Sequence, residues 1–117
     1  MLTLLTVGTH QPYSAPADYL ERHGSARQAA IAYLDDAIGD FLDGLQQRGV
    51  LDDTLVVVTS DESHGIENVR LASAWGFNLM LAPEQAQLPS LKHGVYGHID
   101  LTASILDYLA PVSYTHL

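Results

Sequence analysis

Five polar residues could assemble into one reactive centre: Thr9 and His10 near the amino terminus, and Asp61, Glu62 and His64 near the middle of the chain. Two imidazoles, two carboxylates and a hydroxyl offer the nitrogen and oxygen donors that Mn²⁺, Mg²⁺, Ca²⁺ or Zn²⁺ accept. A divalent ion so held polarises a phosphoryl or sulfuryl oxygen and stabilises a developing alkoxide. Singly, each residue has a plainer reading. Asp61 suits a turn after a strand, Glu62 a solvated loop, His64 an exposed position before Gly65, and His10 a loop contact ahead of Gln11-Pro12. The chemistry depends on their convergence.

Convergence requires particular elements. Leu2 to Val7 is a short apolar, β-branched run stopped by Gly8-Thr9-His10-Gln11-Pro12-Tyr13, and reads as a buried strand. Thr54-Leu55-Val56-Val57-Val58-Thr59 is apolar on both faces, as a central parallel strand is. Between them, Ser25-Ala26-Arg27-Gln28 has the form of a capping box, followed by Ile31, Leu34, Ile38, Phe41, Leu42 and Leu45 at helical spacing and by Gly49 as a terminator. A helix over about 26–48 is expected, with Asp36, Asp40 and Asp43 as its solvated face. A further turn of helix is expected at Asp18–Arg22, a strand over Phe77–Leu81, and a last helix over about Asp100–Leu109, opened by Asp100. Strand, helix, strand is the grammar of an α/β fold, with parallel strands joined by crossover helices. Ligands of such sheets bind beyond the carboxyl ends of the strands, where Thr9, His10, Asp61, Glu62 and His64 all fall.

Composition narrows the function. The 117 residues are 47% hydrophobic, enough for a core and against intrinsic disorder. Five basic residues stand against 14 acidic ones, a formal charge of −9 that repels a phosphate backbone, so nucleic acid is excluded as a general partner. No apolar run approaches the roughly 18 residues of a membrane span, and Met1 to Thr6 lacks the cationic start of a signal peptide. With no cysteine, disulfides, thiolate metal sites and a cysteine nucleophile are all absent. Asp52 and Asp53 read as turn residues, Trp75 as a packing residue, and Lys92, His93 and His98 as weak loop candidates.

Several stretches line up with one pattern. Gly8-Thr9-His10-Gln11-Pro12-Tyr13 resembles the His-x-Pro-Tyr/Phe loop of lipoteichoic acid synthase-like and related sulfatase-type enzymes. Tyr33 to Leu42 is similar to a helix of those enzymes. Leu51 to Asp61 resembles the strand and Ser-Asp-His-Gly signature of the sulfatase family, and His98 to Leu109 resembles its closing helix. The resemblance implies an alkaline-phosphatase-like α/β fold and a metal-dependent site that cleaves or transfers sulfate or phosphate esters of small molecules, lipids or glycans. It implies that Asp61 is a metal ligand, with His64 or Glu62 beside it. It implies that His10, with Thr9, contacts the transferred group or its leaving oxygen. Family members often act outside the cytoplasm, some of them tethered by upstream membrane helices.

Two departures matter. The family has His directly after the Asp, whereas Glu62-Ser63 intervene here before His64-Gly65; and Thr102-Ala103-Ser104 stands where Pro-Thr is usual. The family nucleophile lies in an upstream motif that this chain does not show. Residues 1–110 are therefore expected to be the distal portion of a sulfatase-like domain, inert and marginally stable alone. Residues 111–117 are expected to be a tail foreign to the pattern. The competing readings are a degenerate, non-catalytic homologue and a flavodoxin-like signalling module. The module would need an acidic pair after the first strand, where Thr9-His10 stand.

Overall fold

The computed structural model describes residues 1–63, 68–69, 71–83, 88–90 and 92–109. His64, Arg70 and the tail from 110 onward lie outside the described residues. The chain divides into two units, Met1–Ala86 and Gln87–Leu117.

In the first unit the helices follow local sequence signals closely. Helix α1 spans Ala17–Arg22 and α2 spans Ala26–Gln47. The Ser25 hydroxyl caps α2 by accepting the Gln28 N–H at 3.2 Å, one of the donors a helix start leaves without a partner. Gln28 does reach back, but to the Ser25 hydroxyl, which lies 3.3 Å from its Oε1. Gly49 ends the helix at φ 69°, its N–H donating to Gln46 O at 2.9 Å. A single turn of 3₁₀ helix, Val50–Asp52, then packs back on α2.

The helices are stapled to each other. Tyr19 of α1 donates its phenolic hydrogen to Asp36 Oδ2 of α2 at 2.5 Å and meets the Tyr33 ring edge-on at 5.2 Å. Arg22 lies over the Tyr19 ring, 4.3 Å from its centroid, and bonds Asp18 Oδ2 at 2.9 Å. Among the described residues the buried apolar side chains are Ala29, Ala30 and Pro83. Leu34, Ile38, Leu42 and Leu45 are half-buried, while Ile31 and Phe41 of the same apolar stripe are exposed.

The sheet departs from expectation. Strand β1, Val56–Thr59, pairs with β2, Asn78–Leu81, and the pair is antiparallel, in the register Val56↔Leu81 to Thr59↔Asn78. Leu2–Val7 joins no described ladder; Leu2, Leu4, Leu5 and Val7 are 63–87% exposed. The expected parallel sheet with a crossover helix is thus not formed among the described residues, and β1 is no central strand. For β2 the reason is topological. A parallel return needs a crossover of a dozen or more residues, usually a full helix. The described part of the 60–77 connection contains only the single 3₁₀ turn Ala72–Ala74, so the chain doubles back beside β1. The strand expected over Phe77–Leu81 begins one residue later. Trp75, expected to pack, is 60% exposed.

In the second unit, α3 spans His98–Leu109. It begins two residues ahead of the expected start, so that Asp100 stands in its first turn with Oδ2 accepting the Gly97 N–H at 2.7 Å. His98 is therefore helical and not in the preceding loop, and Lys92 and His93 are exposed. No described helix is long and apolar enough to cross a membrane.

Candidate functional site

Asp61 and Glu62 sit where the strand argument places them, just past the carboxyl end of β1. The backbone around them is fixed on both sides. Before them, the Ser60 N–H donates to Phe77 O at 3.2 Å; after them, the Ser63 N–H donates to Ser73 O at 3.0 Å. Asp61 Oδ1 accepts the Glu62 N–H at 2.8 Å, and both carboxylates are exposed. An exposed carboxylate can give up water to a cation without first breaking a buried network.

Thr9 and His10 occupy the loop that follows Leu2–Val7. That loop closes on itself through His10 N–H to Val7 O at 3.1 Å and Ser14 N–H to Gly8 O at 3.0 Å, around a cis Gln11–Pro12 bond. His10 Nδ1 lies 2.8 Å from Gln11 O. A carbonyl only accepts, so this contact places a proton on Nδ1 and, in the neutral ring, the lone pair on Nε2. His10 thus presents Nε2 to any ligand, and Thr9 is half-buried beside it.

Among the described residues no three histidine or acidic side chains gather as a metal-binding group, so His10 does not join Asp61 and Glu62 in one. The argument that placed them on one rim required Leu2–Val7 and β1 to be parallel neighbours, and that pairing is not formed. His64 lies outside the described residues. In donor chemistry the residues still fit a hard divalent cation, which takes carboxylate oxygens readily. Asp61 and Glu62 are adjacent, exposed and on a loop held at both ends.

Other acids are accounted for differently. Asp36, Asp40 and Asp43 line a shallow concavity on α2 with Tyr19, and Asp36 is engaged by the Tyr19 hydroxyl. That hydrogen bond is the main cause raising the Tyr19 pKa above its ordinary 10.0, with desolvation adding and Arg22 opposing. Arg22 is itself raised, through its contact with Tyr19 first and with Asp18. Composition and spacing did not point to this network, because Tyr19 and Asp36 are 17 positions apart.

The comparison with known families decides among the readings of the fold. The sulfatase family profile matches residues 1–111. The chain belongs to the sulfatase family. Membership brings the alkaline-phosphatase-like fold class and the ester-hydrolase class of activity; the described residues form a small mixed α/β arrangement with a two-stranded antiparallel sheet. Sulfatases generally use metal ions. No curated protein and no solved structure matches the chain significantly.

Proposed function

We propose that this sulfatase-family chain forms the distal portion of an ester-cleaving domain and supplies part of its cation site from the loop that leaves β1. Asp61 is the principal ligand, with Glu62 and His64 beside it; His10 and Thr9 face the sulfuryl or phosphoryl group. The family match over residues 1–111 carries this reading. Two exposed carboxylates on a doubly tethered loop, at the strand end where α/β folds bind ligands, support it.

When bound, a divalent ion supplies Lewis-acid polarisation of the ester oxygens. The chain's own residues orient and hold. Asp61 and Glu62 provide oxygen donors. His10, with its Nδ1 proton committed to Gln11 O, offers Nε2 as an acceptor or, once protonated, as a donor to a leaving oxygen. Thr9 adds a hydroxyl next to it. No nucleophile is assigned to this chain. The His10-Gln11-Pro12-Tyr13 loop favours phosphoglycerol or phosphoethanolamine transfer over hydrolysis, with a small-molecule, lipid or glycan ester as substrate.

One observation favours a second reading, a homologue that has lost its metal: Glu62-Ser63 stand between Asp61 and His64. Titration with Mn²⁺, followed calorimetrically, separates the two. Saturable binding by the wild-type chain, lost in Asp61→Ala, is expected. Identical titrations for the two proteins favour the metal-free homologue.

A further inference from the structure

The β1–β2 register predicts that Ser60 stands opposite Phe77, one step beyond Thr59↔Asn78. In an antiparallel ladder the residues of a hydrogen-bonded pair exchange two N–H···O=C bonds. Here only one is of that kind, from the Ser60 N–H to Phe77 O at 3.2 Å. The return bond runs from the Phe77 N–H to the Ser60 hydroxyl, Oγ, at 3.0 Å. The side chain thus replaces the main-chain carbonyl at the point where the chain leaves the strand for Asp61. The Thr59 hydroxyl lies 3.3 Å from both Ser60 O and Phe77 O and braces the same corner.

Gly76 makes the arrangement possible. A Cβ at position 76 would fall 2.3 Å from Ser60 Oγ and 3.6 Å from Ser60 Cβ. The hydroxyl therefore occupies space that only glycine leaves open. With the Ser63 N–H to Ser73 O bond at 3.0 Å, the two acidic residues are suspended between two tethers to one segment, 73–77.

We propose that Ser60 and Gly76 form a clamp that sets the Asp61 and Glu62 carboxylates for cation binding, with Ser60 as a positioning residue. The inference rests on the cation reading given above. Two exposed carboxylates on a free loop would lose backbone and side-chain entropy on closing around an ion. Fixing the backbone beforehand removes part of that cost, which is the general advantage of a preorganised site.

The test measures Mn²⁺ binding by the full chain together with amide hydrogen exchange at Phe77 and across α2. Ser60→Ala is expected to weaken Mn²⁺ binding roughly tenfold or more, the size of effect typical for groups that support a ligand. It should also speed exchange at Phe77 and leave α2 unchanged. Gly76→Ala should weaken binding similarly although the hydroxyl is retained, because its methyl displaces Oγ. The double variant should be no worse than the poorer single one, since the clash disappears with the hydroxyl. Ser60→Thr, which keeps an acceptor oxygen, should restore binding if Ser60→Ala folds poorly. Wild-type affinity in Ser60→Ala, with Asp61→Ala inactive in binding, overturns the clamp and spares the cation site. Additive losses, or faster exchange throughout α2, also overturn it. Absence of saturable Mn²⁺ binding by the wild-type chain overturns the cation site itself, and the clamp's purpose with it.

Discussion

Helix α2 and the segment Leu2–Val7 are both apolar stretches next to candidate functional loops, yet they stand in opposite conditions. The backbone bonds of α2 are local along its 22 residues, its first turn is capped by Ser25 and its last carbonyls accept from Arg48 and Gly49. Leu2–Val7 is extended, 63–87% exposed at its four large apolar side chains, and in no described ladder. Strand β1 is intermediate, with a partner on one edge among the described residues. A helix satisfies its own donors and acceptors, whereas a strand borrows them from a neighbour. Hence the bonding of α2 is local, whereas β1 and β2 depend on each other for theirs.

The same substitution applied to both regions tests this difference most severely. Proline at Ile38, in the middle of α2, removes an intrahelical bond and clashes with the preceding turn. It should cost about 3 kcal/mol or more and collapse the helical circular dichroism. Proline at Leu4, whose N–H donates to no described group, should change stability by less than about 0.5 kcal/mol. A large loss from Leu4→Pro would mean that Leu2–Val7 is paired in solution, and the contrast between the two regions would fail.

What the sequence made legible follows the same division. The bounds of α2, its cap, its terminating glycine and the place of Asp100 near the start of α3 were readable because each depends on residues within one turn of one another. The position of Asp61 at a strand end was readable for the same reason. The direction of the β1–β2 pairing was not, since it is set by the long connection between them and not by either strand's composition. The meeting of His10 with Asp61 relied on a different pairing, of Leu2–Val7 beside β1, and no described ladder contains it. Gly76, lying between Trp75 and Phe77 just before β2, was the one visible hint of the Ser60 clamp, because an isolated glycine beside a strand often marks a close backbone approach.

Two smaller perturbations sharpen the local character of α2. Gly49 holds φ 69°, and an alanine there would meet both left-handed strain and Asp52 Oδ2 at 3.3 Å from its Cβ. Gly49→Ala should cost about 1–2 kcal/mol, read as a lower thermal midpoint. Ser25→Ala removes the cap and should cost about 1 kcal/mol, with the loss confined to the first turn in hydrogen exchange. If Ser25→Ala disturbed β1 as much as α2, the bonding of the helix would not be local.

The gentlest probe is pH, because it alters the Tyr19 clip without changing a residue. The phenol donates to Asp36, so ionising it breaks that bond and sets two negative charges side by side; its pKa lies above 10.0 in the fold. A group raised on folding contributes stability that is fully present below its unfolded pKa and is lost as pH rises through the folded value. The α1–α2 clip should therefore hold through neutral and mildly alkaline pH and loosen only above about pH 10. The tyrosinate absorbance of the wild-type chain, minus that of Tyr19→Phe, isolates this one ring among six tyrosines. Asp36→Asn should lower its midpoint toward the ordinary value by weakening the hydrogen bond and removing the charge, whereas Arg22→Gln should raise it further, since the guanidinium favours the phenolate. Shifts of opposite sign from two neighbours are a signature of the clip that general loosening of the helices would not produce. A wild-type midpoint at or below the ordinary value would show that α1 and α2 are not joined through this hydroxyl.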